Sequence, residues 1–106
     1  MSVFNYEKDA DGIVLITMDM SGPVNAMNDE YRLAMAATVD RLEQEEGLSG
    51  VIFASAKKTF FAGGDLNELL AVAKGDEGEF LDMLRNTKAV LRRLEKLPVP
   101  VVAAIN

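Results

Sequence analysis

Two periods of apolar residues alternate along the chain, and their order predicts its elements. Residues 2–7 (SVFNYE) and 12–19 (GIVLITMD) are runs of β-branched and aromatic residues. Between them KDADG carries the Asp-Gly signal of a hairpin, so two antiparallel strands are predicted. In the second run Ile13, Leu15 and Thr17 face one way and Val14, Ile16 and Met18 the other, which asks for cover on both faces. SGPVNAMN then breaks any regular element. Asn28 stands as an N-cap, with Asp29 and Glu30 in the first turn, where acids suit the helix dipole. Tyr31, Met35, Val39 and Leu42 form one apolar stripe, and Gly47 fits a C′ position, so the helix should run to about Glu46. GVIFASA (50–56) reads as a buried strand. DLNELLAVA (65–73) reads as a short helix in which Asp65 and Glu68 make a capping box. Phe80, Leu84, Thr87, Leu91 and Leu94 trace a stripe over 77–97, ended by Pro98, and VPVVAAIN (99–106) is a closing strand. The order is hairpin, helix, strand, short helix, long helix, strand, an α/β pattern.

Composition narrows the chemistry. The chain has 106 residues, 49% hydrophobic and 26% charged, enough for one small globular unit. It has no cysteine and no histidine, which excludes disulfides, zinc sites and Ser-His or Cys-His triads within it. No metal site is expected. Eleven basic against seventeen acidic residues give a net charge of −6, which argues against nucleic acid and anionic membranes as partners. Neither a signal-like N-terminus nor a span-length apolar run is present, so a cytoplasmic location is the expectation.

KKTFFAGGDLNELL (57–70) concentrates the candidate chemistry. Glycine loses more backbone freedom on folding than any other residue, so a pair opening a helix points to a close approach by something else. The unpaired N–H groups at such a turn suit a negatively charged atom. On its own the pair reads first as a plain strand-to-helix turn, and Asp65 as its N-cap. Lys57 and Lys58 are either a solvated strand end or a local positive charge for phosphate.

PVNAMN (23–28), FFAGGDL (60–66) and PVVAAIN (100–106), in this order and at these separations, resemble the N-terminal part of the crotonase superfamily, the enoyl-CoA hydratase/isomerase family. The resemblance implies a ββα spiral assembled as trimers or hexamers, with residues 1–106 as an N-terminal fragment of the domain. It further implies chemistry on an acyl-CoA thioester through an enolate, with coenzyme A as part of the substrate and no separate cofactor. Gly64 N–H would be one oxyanion-hole donor. Asn25, Ala26, Met27, Lys57, Lys58, Ala62, Asp65 and Leu66 would contact the coenzyme or substrate. Met27 reads equally well as a hydrophobic staple. The family's acid–base carboxylates and second oxyanion donor fall after the AAIN strand, so the 106 residues alone are expected to be inactive.

The parent is then a stand-alone hydratase/isomerase of fatty-acid β-oxidation, or the leading domain of a protein that also carries a 3-hydroxyacyl-CoA dehydrogenase. A non-catalytic CoA-binding or assembly module is the alternative, as is another superfamily reaction such as thioester hydrolysis, decarboxylation or ring-forming synthesis. The apolar run reaching Asn106 with no closing element reads as the first part of something longer. A neighbouring copy is expected to cover residues 99–105 or the stripe of the 77–97 helix.

Overall fold

The computed structural model describes residues 3–72 and 75–106. The hairpin forms as its sequence predicts: β1 (Phe4–Lys8) pairs antiparallel with β2 (Ile13–Met18). Its expected first residue, Ser2, lies outside the described residues. The connecting turn closes on Asp9, whose Oδ1 accepts the N–H groups of Asp11 and Ile13, both at 2.9 Å. Gly12 completes it with φ +84°, a left-handed conformation that a side chain would strain.

α1 (Asp29–Glu43) begins where Asn28 Oδ1 accepts Tyr31 N–H at 3.0 Å. All four residues of the predicted stripe are buried, joined by Ala34 and Thr38. The helix ends at Glu43, before the expected Glu46, and its cap is Gln44. The N–H groups of Gln44 and Glu45 fall back on the carbonyls of Arg41 and Leu42, three residues earlier, which tightens the last turn and stops it. Gly47 is therefore not the C′ residue. It turns the chain at φ +70° instead. Glu45 is drawn out of the helix by the hairpin, where its carboxylate accepts from Tyr6 Oη and from Lys8 Nζ.

β3 (Gly50–Ser55) returns parallel to β2, and β4 (Val101–Ala103) adds parallel to β3, giving the sheet order β1-β2-β3-β4. Pairing across the sheet creates two rows of residues. Tyr6, Ile16, Phe53 and Ala103 lie on the helix-covered face, whereas Glu7, Leu15, Ile52 and Val102 lie on the other. The first face joins α1 in one core that includes Val14, Ile16, Val39, Leu42 and Val51. On the second face Leu15 and Ile52 are half-buried and Val102 is 53% exposed, so the two-sided cover expected for β2 is complete on one side only among the described residues.

α2 (Leu66–Leu70) is a short helix capped by Ala71; it stops before the predicted Val72, and Ala73 lies outside the described residues. α3 (Glu77–Glu95) ends two residues before the predicted Leu97, and its packed face differs from the predicted stripe. Arg93 apart, Phe80, Met83, Thr87, Val90, Leu94 and, just past the helix, Leu97 are the buried or half-buried positions. Their spacings of three and four give a seam against α1. Leu81, Leu84 and Leu91 remain exposed on a second apolar stripe. Because α3 is apolar over more than one face, its periodicity admits two stripes, and the predicted stripe combined residues of both. Arg93 fixes the choice by reaching Asp40 (2.5 Å) and Glu43 on α1. Among the described residues no helix is long and apolar enough to cross a membrane.

Two measurements check this packing. A Cβ on Gly12 would lie 2.1 Å from the carbonyl oxygen of Gly47, whereas one on Gly47 would meet nothing within 4 Å. In urea denaturation Gly12→Ala should cost about 2–4 kcal/mol, and Gly47→Ala about 1–2 kcal/mol from its dihedral alone. Equal costs would rule out this close approach of the two turns. The Tyr6 phenol is pushed up to about 12 by burial, then by its hydrogen bond to Glu45 and that carboxylate's charge. A phenol raised above its unfolded value of about 10 stabilises the fold fully below that pH and loses the contribution as pH climbs through about 12. The urea midpoint should therefore decline above about pH 10, and less so in Tyr6→Phe. A tyrosinate signal from folded protein titrating near 10 for Tyr6 would contradict the contact.

Candidate functional site

Two irregular segments meet beyond the ends of β2 and β3, and backbone hydrogen bonds lay them side by side. Asn25 O accepts Ala62 N–H at 2.8 Å, Met27 N–H donates to Gly63 O at 2.8 Å, and Asp65 N–H donates to Met27 O at 3.2 Å. The last two bonds make a parallel bridge between Met27 and Gly64. In this pattern one residue bonds the two neighbours of its partner, so the partner's own N–H and carbonyl point to the opposite side. Gly64 is that partner. Its N–H is directed away from the 25–27 segment, Gly64 is exposed, and among the described residues this N–H meets no acceptor.

The two glycines differ in what they supply. Gly63 adopts φ +79°, which only glycine takes without strain, and it turns the chain into the bridge. Gly64 is not in the left-handed region, and a Cβ there would meet nothing within 4 Å. The need for glycine thus lies at 63, while the available donor lies at 64.

Asp65 caps α2, its Oδ1 accepting Asn67 N–H at 2.9 Å and Glu68 N–H at 3.4 Å. The reciprocal half of the predicted capping box does not form. Asp65 N–H is taken by Met27 O, and the Glu68 carboxylate turns instead to Arg32 on α1. Arg32 also holds Asp29 at 2.6 Å, so α2 is tied to the start of α1. No sequence motif marked Arg32 for this role.

Asn25 is fully buried. Its Oδ1 accepts Met20 N–H at 3.2 Å, and its Nδ2 lies within hydrogen-bond reach of Ser55 Oγ (2.9 Å), Phe60 O (3.2 Å) and Met18 O (3.3 Å). The side chain predicted to touch a ligand is therefore enclosed by protein. Ala26 and Met27 are half-buried, and Met27 packs against the core. Lys57 Nζ is paired with Asp19 at 2.9 Å, while Lys58 is exposed. Asn106 Nδ2 donates to the carbonyls of both lysines, at 2.9 and 3.2 Å. Ala62 and Leu66 are exposed, Leu66 at 72%. The structure thus brings Ala26, Met27, Ala62, Gly64, Asp65 and Leu66 together at one edge, with Asn25 beneath them.

Phe60 and Phe61 anchor the segment from below. Phe61 meets Tyr31 edge-on, with ring centroids 5.2 Å apart, and Tyr31 meets Phe4 at 6.1 Å. The two phenylalanines also wall an apolar cavity of about 340 Å³ with Met18, Met35, Leu94 and Val101. A larger cavity of about 460 Å³ lies between α1 and α3 and contains none of the predicted site residues.

The sequence profile of the enoyl-CoA hydratase/isomerase family matches residues 8–106. The fatty acid oxidation complex subunit alpha of Idiomarina loihiensis is 36% identical over 105 residues, covering 97% of this chain and 14% of that protein. Among solved structures, enoyl-CoA hydratase of Mycobacterium smegmatis superposes with a TM-score of 0.86 at 24% identity, over 97% of this chain and 39% of that one. An enoyl-CoA hydratase/isomerase of Mycobacterium paratuberculosis gives 0.77 at 25% identity, over 100% and 42%. The chain spans less than half the length of each of these proteins.

The division of labour between the glycines is checked by alanine at each. Gly63→Ala should lose about 1–2 kcal/mol in denaturant unfolding, and Gly64→Ala less than about 0.5 kcal/mol. The reverse order would mean that the turn into the bridge is made at 64.

Proposed function

Because this chain belongs to the enoyl-CoA hydratase/isomerase family and has the crotonase fold, we propose that residues 62–66 receive an acyl-CoA thioester and that Gly64 N–H is one of two oxyanion donors. The observation that carries this reading is the Gly64 amide, exposed and without an acceptor among the described residues, held in direction by bonds on both neighbours. Adding water to an α,β-unsaturated thioester bonds the water oxygen to the β-carbon, gives one water proton to a base and moves the π electrons onto the thioester oxygen. Protonation at the α-carbon then completes the hydration. Double-bond migration, which begins with loss of a C–H proton to a base and ends with a proton returned to another carbon, passes through a dienolate with its charge on the same oxygen. A donor already aimed at that oxygen stabilises the transition state by about 3–4 kcal/mol, because nothing has to reorient as the charge grows.

The neighbouring groups take lesser parts. Asp65 uses its carboxylate to cap α2, so it is not the acid or base. Lys57 is neutralised by Asp19, which leaves exposed Lys58 as the ammonium for the coenzyme's phosphates. Exposed Ala62 leaves room for an approaching ring, with half-buried Ala26 and Met27 beside it, while enclosed Asn25 takes no part in contact. The second donor and the acid–base carboxylates belong, by the family's pattern, to residues following the AAIN strand, and the chain alone would then lack turnover. A role in fatty-acid oxidation within a longer protein is supported by the fatty acid oxidation complex subunit of which this chain matches 14%, and a dehydrogenase in that longer protein is part of the proposal. Assembly as trimers or hexamers completes the reading, and exposed Leu84, Leu91, Val102 and Ile105 offer apolar surface for it.

Proline at 64 replaces the N–H hydrogen with a ring carbon, so the donor is lost and its place is filled. In the full-length protein Gly64→Pro should lower the hydration rate of an enoyl-CoA by about 10²–10³, while Gly64→Ala stays within a few-fold. Circular dichroism establishes that both are folded. Near-normal turnover by folded Gly64→Pro would remove Gly64 from the chemistry.

A further inference from the structure

The direction of the Gly64 amide is inherited from one buried side chain. An asparagine amide has two N–H donors and an oxygen with two lone pairs. At Asn25 three oxygens surround Nδ2 and one N–H faces Oδ1, so only one orientation of the amide satisfies its surroundings. Through Nδ2 it holds Phe60 O, and the backbone carbonyl of the same residue holds Ala62 N–H. Two residues further along its own segment, Met27 holds Gly63 and Asp65. The ladder that aims Gly64 therefore starts at Asn25. Ser55 braces it from the end of β3: its Oγ accepts from Asn25 Nδ2 and from Lys57 N–H at 2.9 Å, and donates to Thr59 O at 2.8 Å.

We propose that Asn25 is a positioning residue, whose carboxamide sets the height and direction of Gly64 N–H without touching substrate, and that Ser55 supports it. The proposal rests on the reading of Gly64 as an oxyanion donor. It explains why an asparagine, rather than an apolar residue of similar size, occupies a fully buried site under an exposed edge. A leucine would leave the Met20 N–H and the Phe60 carbonyl without their partner. An aspartate would set a second carboxylate oxygen against three oxygens and push the 60–62 backbone away. Displacement of a reacting group by about 1 Å is enough to cost on the order of 10² in rate.

The test is a pair of double-mutant cycles in the full-length protein, with Asn25→Asp and Ser55→Ala each made alone and in Gly64→Pro. Alone, Asn25→Asp should lower kcat about 10²-fold and Ser55→Ala about 3–10-fold, with KM within about 3-fold for both. In the Gly64→Pro background both losses should shrink to within about 2-fold, because no donor remains to be misaligned. A general loosening of the structure would instead multiply through, and undiminished losses in that background would overturn the proposal. Ser55→Ala removes one hydroxyl from a half-buried position and carries the test if Asn25→Asp does not fold. Full kcat in Asn25→Asp beside a slow Gly64→Pro would sink the positioning role alone. Normal turnover by Gly64→Pro would sink the donor reading, and the positioning role with it.

Discussion

A carboxamide shut away from water must find partners for its hydrogens and its oxygen inside the protein, since each one left unmade costs about 1–3 kcal/mol. Asn25 finds them on the end of β2, the end of β3 and the loop before Ala62. β2 and β3 stop pairing at Met18 and Ser55, and beyond them Ala56 N–H still donates to Met18 O and Lys57 pairs with Asp19. One side chain joins these strand ends to the short Met27–Gly64 bridge that follows. The Phe4–Tyr31–Phe61 ring contacts supply apolar support beneath it, but ring packing tolerates sliding, whereas hydrogen-bond geometry does not.

Glycine at adjacent positions is easily read as one signal, and here it is two. Gly63 is required by its dihedral, whereas Gly64 has an ordinary dihedral and room for a side chain, and what it supplies is an exposed N–H. A turn whose corner and whose useful amide fall on consecutive residues can change one without the other. Asp65 then serves both segments, since its side chain caps α2 while its N–H closes the bridge to Met27.

Much of the fold was legible because local chemistry decided it. The Asp-Gly hairpin, the Asn28 cap, the Tyr31–Leu42 stripe and the Asp65 cap all depend on neighbours in sequence, and all appear as read. The misreadings share a different cause. α1 stops at Glu43 because Glu45 is drawn to Tyr6 and Lys8, 39 and 37 positions away. Glu68 leaves its capping box for Arg32, 36 positions away. The stripe on α3 was ambiguous until Arg93 met Asp40 and Glu43. At the site, FFAGGDL identified the exposed edge, but nothing in PVNAMN separates an asparagine that contacts a ligand from one enclosed beneath the edge. That distinction is made by where β3 ends, through Ser55.

The parallel pairing of β2 with β3 also sets the condition on which such an edge can exist. Parallel strands cannot join through a tight turn, so the chain crosses over through α1 to lay β3 beside β2. The bond from Asn25 to Phe60 closes a separation of 35 residues, a non-local contact that spans that crossover. Without it the Gly64 amide is one solvated backbone group among many, with no direction to offer. Its orientation therefore depends on the whole β2–α1–β3 unit being closed, and not only on the exposed segment that carries it.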